Sequence, residues 1–132
     1  MAPKAKILLV DDDPDFLEMH ELILKNHGYA VRKAKSGEEG FEMAHMDMPD
    51  LIVLDLMMEK HDSGFSLSHQ LKKDPLLRKI PILMVTSVAE ITGFKFNYEK
   101  DGYWMKTDDF LDKPVKPEVL IQRVEKLLKQ KP

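Results

Sequence analysis

The chain of 132 residues contains no cysteine, which excludes both a disulfide framework and a thiolate metal site. Long hydrophobic runs are missing too. The apolar stretch behind Lys4 and Lys6 extends only from Ile7 to Val10 and ends in three aspartates, too short for a signal peptide or a membrane span. A cytoplasmic location, away from the membrane, is the default expectation. Clustered positive charge is scarce: apart from a lysine-bearing C-terminal helix the basic residues are scattered, and the formal net charge is −3. Nothing resembles a nucleic-acid footprint, so direct nucleic-acid binding is not expected. Internal repeats and low-complexity tracts are absent. The five histidines, His20, His27, His45, His61 and His69, show no spacing that converges on one place. They read as surface or amphipathic-helix positions without a metal role, and the nine methionines read mostly as core filler.

What is there is an ordinary composition, 43% hydrophobic and 33% charged, enough for one domain with a proper core. The expectation is a single domain over 1–132, its core about 5–130, with no output domain. Lys6-Ile7-Leu8-Leu9-Val10 reads as a buried first strand. Asp13 looks like an N-cap with Pro14 at the first helical position. Phe16, Leu17, His20, Ile23 and Leu24 follow at helical spacing, and Gly28 closes that helix. Tyr29-Ala30-Val31 opens a weaker second strand. Ser36 and Glu39 carry the capping-box pattern of a helix running to about His45.

Leu51-Ile52-Val53-Leu54 is a third run, apolar on both faces, and Asp55 falls at its end. After a polar loop from Glu59 to Gly64, the residues Phe65, Leu67, Ser68 and Leu71 give a third helix, which ends at Asp74-Pro75. A fourth strand runs from Ile80 to Val85 and finishes at Thr86-Ser87, its Pro81 confined to the first positions or to an edge. Phe110-Leu111 is a short fifth strand. Pro117 then opens a helix with Leu120, Ile121, Val124, Leu127 and Leu128 on one face. Strands alternating with helices, too far apart for hairpins, give an α/β fold: a doubly wound five-stranded parallel sheet with helices on both faces.

Right-handed crossovers place every strand's carboxyl end on one edge, outside which the ligand crevice lies. Asp11-Asp12, Asp55, Thr86-Ser87 and Lys113 all follow strands, so all meet there. Clustered carboxylates repel one another, and a divalent cation resolves the repulsion. An all-oxygen site suits Mg²⁺, which welcomes a phosphate oxygen as a further ligand. With a lysine and a hydroxyl beside it, the cluster has the parts that phosphoryl transfer to an oxygen nucleophile needs.

At this point the chain resembles the receiver domain of two-component response regulators (CheY-like, strand order 2-1-3-4-5). The segments that carry the likeness are Leu8-Leu9-Val10-Asp11-Asp12-Asp13-Pro14, Leu54-Asp55-Leu56-Met57-Met58, Val85-Thr86-Ser87 and Asp112-Lys113-Pro114. The resemblance implies that Asp55 is the phosphoacceptor. Asp12, Asp55 and the backbone carbonyl of Met57 would bind Mg²⁺, with Asp11 acting largely through metal-bound water. Thr86 would swing towards the acyl phosphate, with Phe110 as the coupled aromatic. Lys113 would contact the phosphoryl group, and Pro114 would hold the lysine turn, often through a cis peptide. The donor would be a sensor histidine kinase or a phosphotransfer protein. The output would pass from the fourth helix, fifth strand and fifth helix to another protein, with the chain a monomer or a phosphorylation-dependent dimer. Such a chain is not an enzyme, beyond assisting its own phosphorylation and dephosphorylation.

Two departures from that family stand out. Glu59 occupies a place where proline is usual, and Gly64 lies nine residues after Asp55, one more than usual, which leaves the loop's shape open. Thr86 to Lys113 spans 27 residues, several more than usual, and the extra length falls between Ile91 and Asp109. It holds Phe94, Phe96, Tyr98, Tyr103 and Trp104, five of the chain's ten aromatics. They read either as the apolar cluster a longer loop needs or as a partner-recognition patch. Two rivals bear on function. An aspartyl phosphohydrolase of the haloacid dehalogenase type fits Asp11-x-Asp13, but Asp15 stands where threonine or valine is expected, and a cap domain has no room. The other is a receiver-like module that binds partners without being phosphorylated.

Overall fold

Short runs of branched aliphatic residues, each bounded by aspartate, proline or glycine, become the strands. They are β1 (Lys6–Val10), β2 (Ala30–Ala34), β3 (Leu51–Asp55), β4 (Ile82–Thr86) and β5 (Asp109–Asp112). In the computed structural model the described residues are 4–55, 63–86 and 109–130; at 63–65, 86, 110 and 130 the description is of the backbone alone. All four strand pairings are parallel, in the order β2-β1-β3-β4-β5. The helices among the described residues are α1 (Pro14–Asn26), α2 (Gly37–Asp47), α3 (Ser63–Lys73) and α4 (Pro117–Gln130). None is long and apolar enough to cross a membrane.

The inner strands sort their side chains with a period of two, as a pleated strand must. Leu8, Val10, Ile52, Leu54, Ile82 and Met84 join Ala44, Leu67 and Leu71 of α2 and α3 in one core layer. Ile7, Leu9, Leu51, Val53, Leu83 and Val85 join Leu17 and Leu24 of α1 and Leu120, Val124 and Leu127 of α4 in the other. Burial on both faces is why β1, β3 and β4 carry continuous apolar runs and not an alternation of apolar and polar. Gly40 lets α2 lie close against the sheet. A Cβ there would stand 3.1 Å from Val10 and 3.2 Å from Leu67.

Capping follows the sequence. The Asp13 carboxylate accepts from the Asp15 amide at 3.0 Å, and the Ser36 hydroxyl accepts from the Glu39 amide at 3.1 Å. Gly28 takes φ +90 just past the end of α1, the left-handed region that favours glycine.

Several expectations need correction, among them the fifth strand, which runs from Asp109 to Asp112 and not over Phe110-Leu111 alone. β2 starts at Ala30 and runs to Ala34, while Tyr29 is a core residue ahead of it. α2 continues past His45 to Asp47. α3 starts at Ser63, so Ser63 and Gly64 belong to the helix and not to the polar loop; serine favours helix starts and glycine is tolerated in a first turn. Of the two readings for His20 the amphipathic-helix one holds: it lies on the buried line of α1 with Leu17 and Leu24, 4% exposed, and its Nδ1 is satisfied locally by the Phe16 carbonyl at 2.8 Å. Of the described methionines only Met84 is fully core, whereas Met19, Met46 and Met48 are exposed. The fourth strand starts at Ile82 and not at Ile80 and ends at Thr86, so Pro81 precedes it; β4 lies inside the sheet, and the Pro81 carbonyl accepts from the Ile52 amide at 3.0 Å.

Candidate functional site

The carboxyl ends of β1 and β3, together with the turn after β5, deliver the acidic and basic side chains to one place. Asp11 follows Val10 directly, and its amide prolongs the β1–β2 ladder by donating to the Ala34 carbonyl at 3.1 Å. The Asp11 side chain is 1% exposed, and its Oδ1 accepts from the Asp13 amide at 2.9 Å. Asp55 is the last residue of β3, 5% exposed, level with Val85 of β4 and one step beyond the Val10–Leu54 pair of β1 and β3. By the period of two, Asp55 continues the face of Leu51 and Val53, and Asp11 continues that of Ile7 and Leu9. Both carboxylates therefore sit on the α1/α4 side of the sheet, where Asp12 remains exposed.

Oxygens of Asp11, Asp12 and Asp55 lie within 4.8 Å of one another. Three carboxylates this close, two of them buried, are unfavourable without cations. Among the described residues Lys113 supplies a cation: its Nζ donates to Asp11 Oδ2 at 3.0 Å and lies 3.5 Å from Asp55 Oδ2. Burial alone would lower the Lys113 ammonium. The Asp55 charge and the bond to Asp11 outweigh it and hold the group above the ordinary lysine value, so it stays charged at neutral pH. The donor set fits a hard divalent cation: oxygen ligands only, and spacing that can close on an ion binding oxygens at about 2.0–2.1 Å. The Lys113–Pro114 peptide is cis, as the lysine turn led one to expect.

The sequence-derived set is thus partly assembled. Asp11, Asp12, Asp55 and Lys113 come together. Thr86 ends β4 level with Asp112, and Phe110 lies beside Met84; the switch roles expected of their side chains lie outside the described residues. So do the Met57 carbonyl, the loop at 59–62 and the aromatic-rich stretch up to 108. Two neighbours escaped the sequence reading. The Phe16 ring lies under Lys113 Nζ, 4.3 Å from its centroid, and His20 stacks behind it with centroids 3.9 Å apart. Their signal was the four-residue spacing on a helix that starts immediately after the acidic pair.

Fold and site together define a doubly wound α/β protein with an acidic, lysine-bridged crevice at its strand ends. Residues 7–125 match the response regulator receiver domain family, and the chain belongs to it. PilH of Pseudomonas aeruginosa is 35% identical over 129 residues, covering 94% of this chain and 98% of PilH. The chemotaxis response regulator CheY4 of Vibrio cholerae superposes with a TM-score of 0.80 at 28% identity, covering 93% of this chain and 98% of that one. The DNA-binding dual master transcriptional regulator RpaA of Synechocystis is 36% identical over 125 residues, 95% of this chain. This chain spans about half of RpaA's length, 49%.

Proposed function

We propose that this receiver takes a phosphoryl group on Asp55, from a phosphohistidine of a sensor kinase or phosphotransfer protein, and signals through the change that follows. One observation carries the reading. Asp55 is a buried carboxylate at a central strand end whose oxygens share a 4.8 Å cluster with Asp11 and Asp12 and face Lys113 at 3.5 Å. In the transfer an Asp55 oxygen forms a bond to phosphorus as the phosphorus–nitrogen bond of the donor breaks, and the leaving imidazole nitrogen takes up a proton. Asp12, Asp55 and the Met57 carbonyl would hold Mg²⁺, with Asp11 through water. The ion supplies charge neutralisation at the phosphoryl oxygens.

Lys113 supplies the second positive charge. Its bonds to Asp11 and Asp55 keep the ammonium at the place where negative charge arrives. Once Asp55 carries the acyl phosphate, Lys113 and the Thr86 hydroxyl turn to the phosphoryl oxygens, and the fifth strand shifts with Phe110. The outcome is read at the surface formed by the fourth and fifth family helices and β5. The domain is a phosphoacceptor, not a turnover enzyme, and acts in the cytoplasm.

The test is intact mass after incubation with acetyl phosphate, with and without Mg²⁺, for the wild type and Asp55→Asn. A metal-dependent gain of one phosphoryl group that vanishes in the variant is expected. No gain and no response to beryllofluoride would make the domain a passive binding module. Repeated turnover of a small phosphate ester would make it a hydrolase.

A further inference from the structure

Lys113 has a neighbour that the carboxylate chemistry does not use. Its ammonium lies 4.3 Å from the centroid of the Phe16 ring, while its side chain remains only 23% exposed. Phe16 is partly buried against the α1/α4 core layer, so its ring cannot swing away freely. Behind it the His20 ring is nearly parallel, 24° between planes at 3.9 Å. The imidazole is itself fixed by Nδ1, which donates to the Phe16 carbonyl at 2.8 Å. That bond requires the proton on Nδ1, since a carbonyl only accepts. Nε2 is buried and has no hydrogen-bond partner among the described residues.

We propose that Phe16, backed by His20, is a positioning residue for Lys113: its ring face carries the ammonium and sets the direction from which it reaches the phosphoryl oxygens on Asp55. The proposal rests on the reading of Asp55 as phosphoacceptor.

The physical case is a division of labour. A lysine ends a flexible four-carbon stem in a point charge with three donors, and its bonds to Asp11 and Asp55 must be redistributed when a phosphoryl oxygen arrives. An aromatic face attracts the cation without an acceptor atom, so that contact persists through the exchange and strengthens as the bonds to Asp11 and Asp55 are given up. The ring belongs to α1, which is anchored by the Asp13 cap next to Asp11, so platform and acidic pair move as one unit. A neutral His20 suits this role, because an imidazolium behind the ring would oppose the ammonium. Burial, the largest influence, does hold His20 below the ordinary histidine value; the Phe16 carbonyl opposes it, Lys113 adds to it, and Asp11 opposes it.

The test compares Phe16→Leu, Phe16→Tyr and a series in which Phe16 is replaced by progressively fluorinated phenylalanines, which keep the ring's shape and drain its negative face. The first readout is the proton shift of the Lys113 ε-methylene, followed by NMR without metal or phosphoryl mimic. We expect ring-current shielding in the wild type and Phe16→Tyr and its loss in Phe16→Leu. The second is beryllofluoride affinity in Mg²⁺. We expect a fall of about 3- to 10-fold in Phe16→Leu, the size of a partly desolvated cation–π contact, a stepwise fall along the fluorinated series, and recovery in Phe16→Tyr. An unshielded Lys113 in the wild type overturns the proposal, and so does equal affinity for phenylalanine and its pentafluoro analogue. If Phe16→Leu does not fold, the near-isosteric series decides alone. A wild type that ignores beryllofluoride overturns the reading of Asp55, and the Lys113 shift separates that failure from failure of the ring contact.

Discussion

The two ends of the same strands solve the problem of charge in opposite ways. At the amino ends, charges sit near water and are matched with opposite charges or backbone groups. The Lys6 amide donates to the Asp50 carboxylate at 2.8 Å and Lys6 Nζ to the Asp47 carbonyl at 2.6 Å. Arg123 of α4 holds Asp109, the first residue of β5, at 2.9 and 3.1 Å. At the carboxyl ends, three carboxylates crowd within 4.8 Å, and Lys113 bridges two of them, Asp11 and Asp55. The amino ends close the sheet. The carboxyl ends store repulsion that a divalent cation would relieve.

That contrast can be broken by exchanging carboxylates. The largest effect expected is on phosphoryl uptake: Asp55→Asn abolishes it and Asp109→Asn leaves it unchanged, read by intact mass. Next comes linkage to the ion. Mg²⁺ at a hundred times its dissociation constant raises unfolding stability by about 2.7 kcal/mol. Asp12→Asn removes most of that gain and Asp50→Asn none, as denaturant midpoints with and without Mg²⁺ will show.

In the metal-free protein the order reverses. Arg123→Met costs up to about 1 kcal/mol, since the pair is part-exposed with side chains 39% and 14% accessible. Asp12→Asn is neutral or stabilising by up to about 1 kcal/mol because like charges are relieved. A thermal scan in chelator that finds Asp12→Asn clearly less stable than Arg123→Met would remove the idea of stored repulsion.

The smallest effect is on pH. Burial lowers the His20 value below 6.5, so the unfolded chain binds that proton more readily. The neutral imidazole's contribution is complete above 6.5 and fades as pH falls towards the folded value. His20→Leu should flatten this part of the acid limb, which urea melts between pH 7 and 5 will reveal; an unchanged limb would mean that His20 does not titrate with unfolding.

Much of this could be read in advance because local rules and global fold agree. The runs Ile7–Val10 and Leu51–Leu54 have one reading only, a strand covered on both faces, and the caps at Asp13 and Ser36 fix the helix starts. The convergence of Asp11, Asp55 and Lys113 followed from topology alone. Failures came where sequence pattern is silent about depth. His20 shares the helical spacing of Leu17 and Leu24 and lies with them on the buried line of α1; what the spacing does not give is its stacking on Phe16 beside Lys113. The methionines misled for a related reason. An unbranched side chain fits core and surface alike, and Met46 and Met48 lie at the end of α2 beyond the sheet.

The alternation of faces along β1 and β3 has a consequence for how this chain can change in length. A residue inserted anywhere within Leu51–Leu54 would turn Asp55 through the sheet to the aliphatic side of α2 and α3, stranding a carboxylate in the layer of Val10 and Leu67. An added residue just beyond Asp55 leaves every side chain of β3 facing as before. The extra position between Asp55 and Gly64 falls on the permissive side of that boundary. The last residue of the strand thus divides a stretch whose length is locked by parity from one whose length is free to drift.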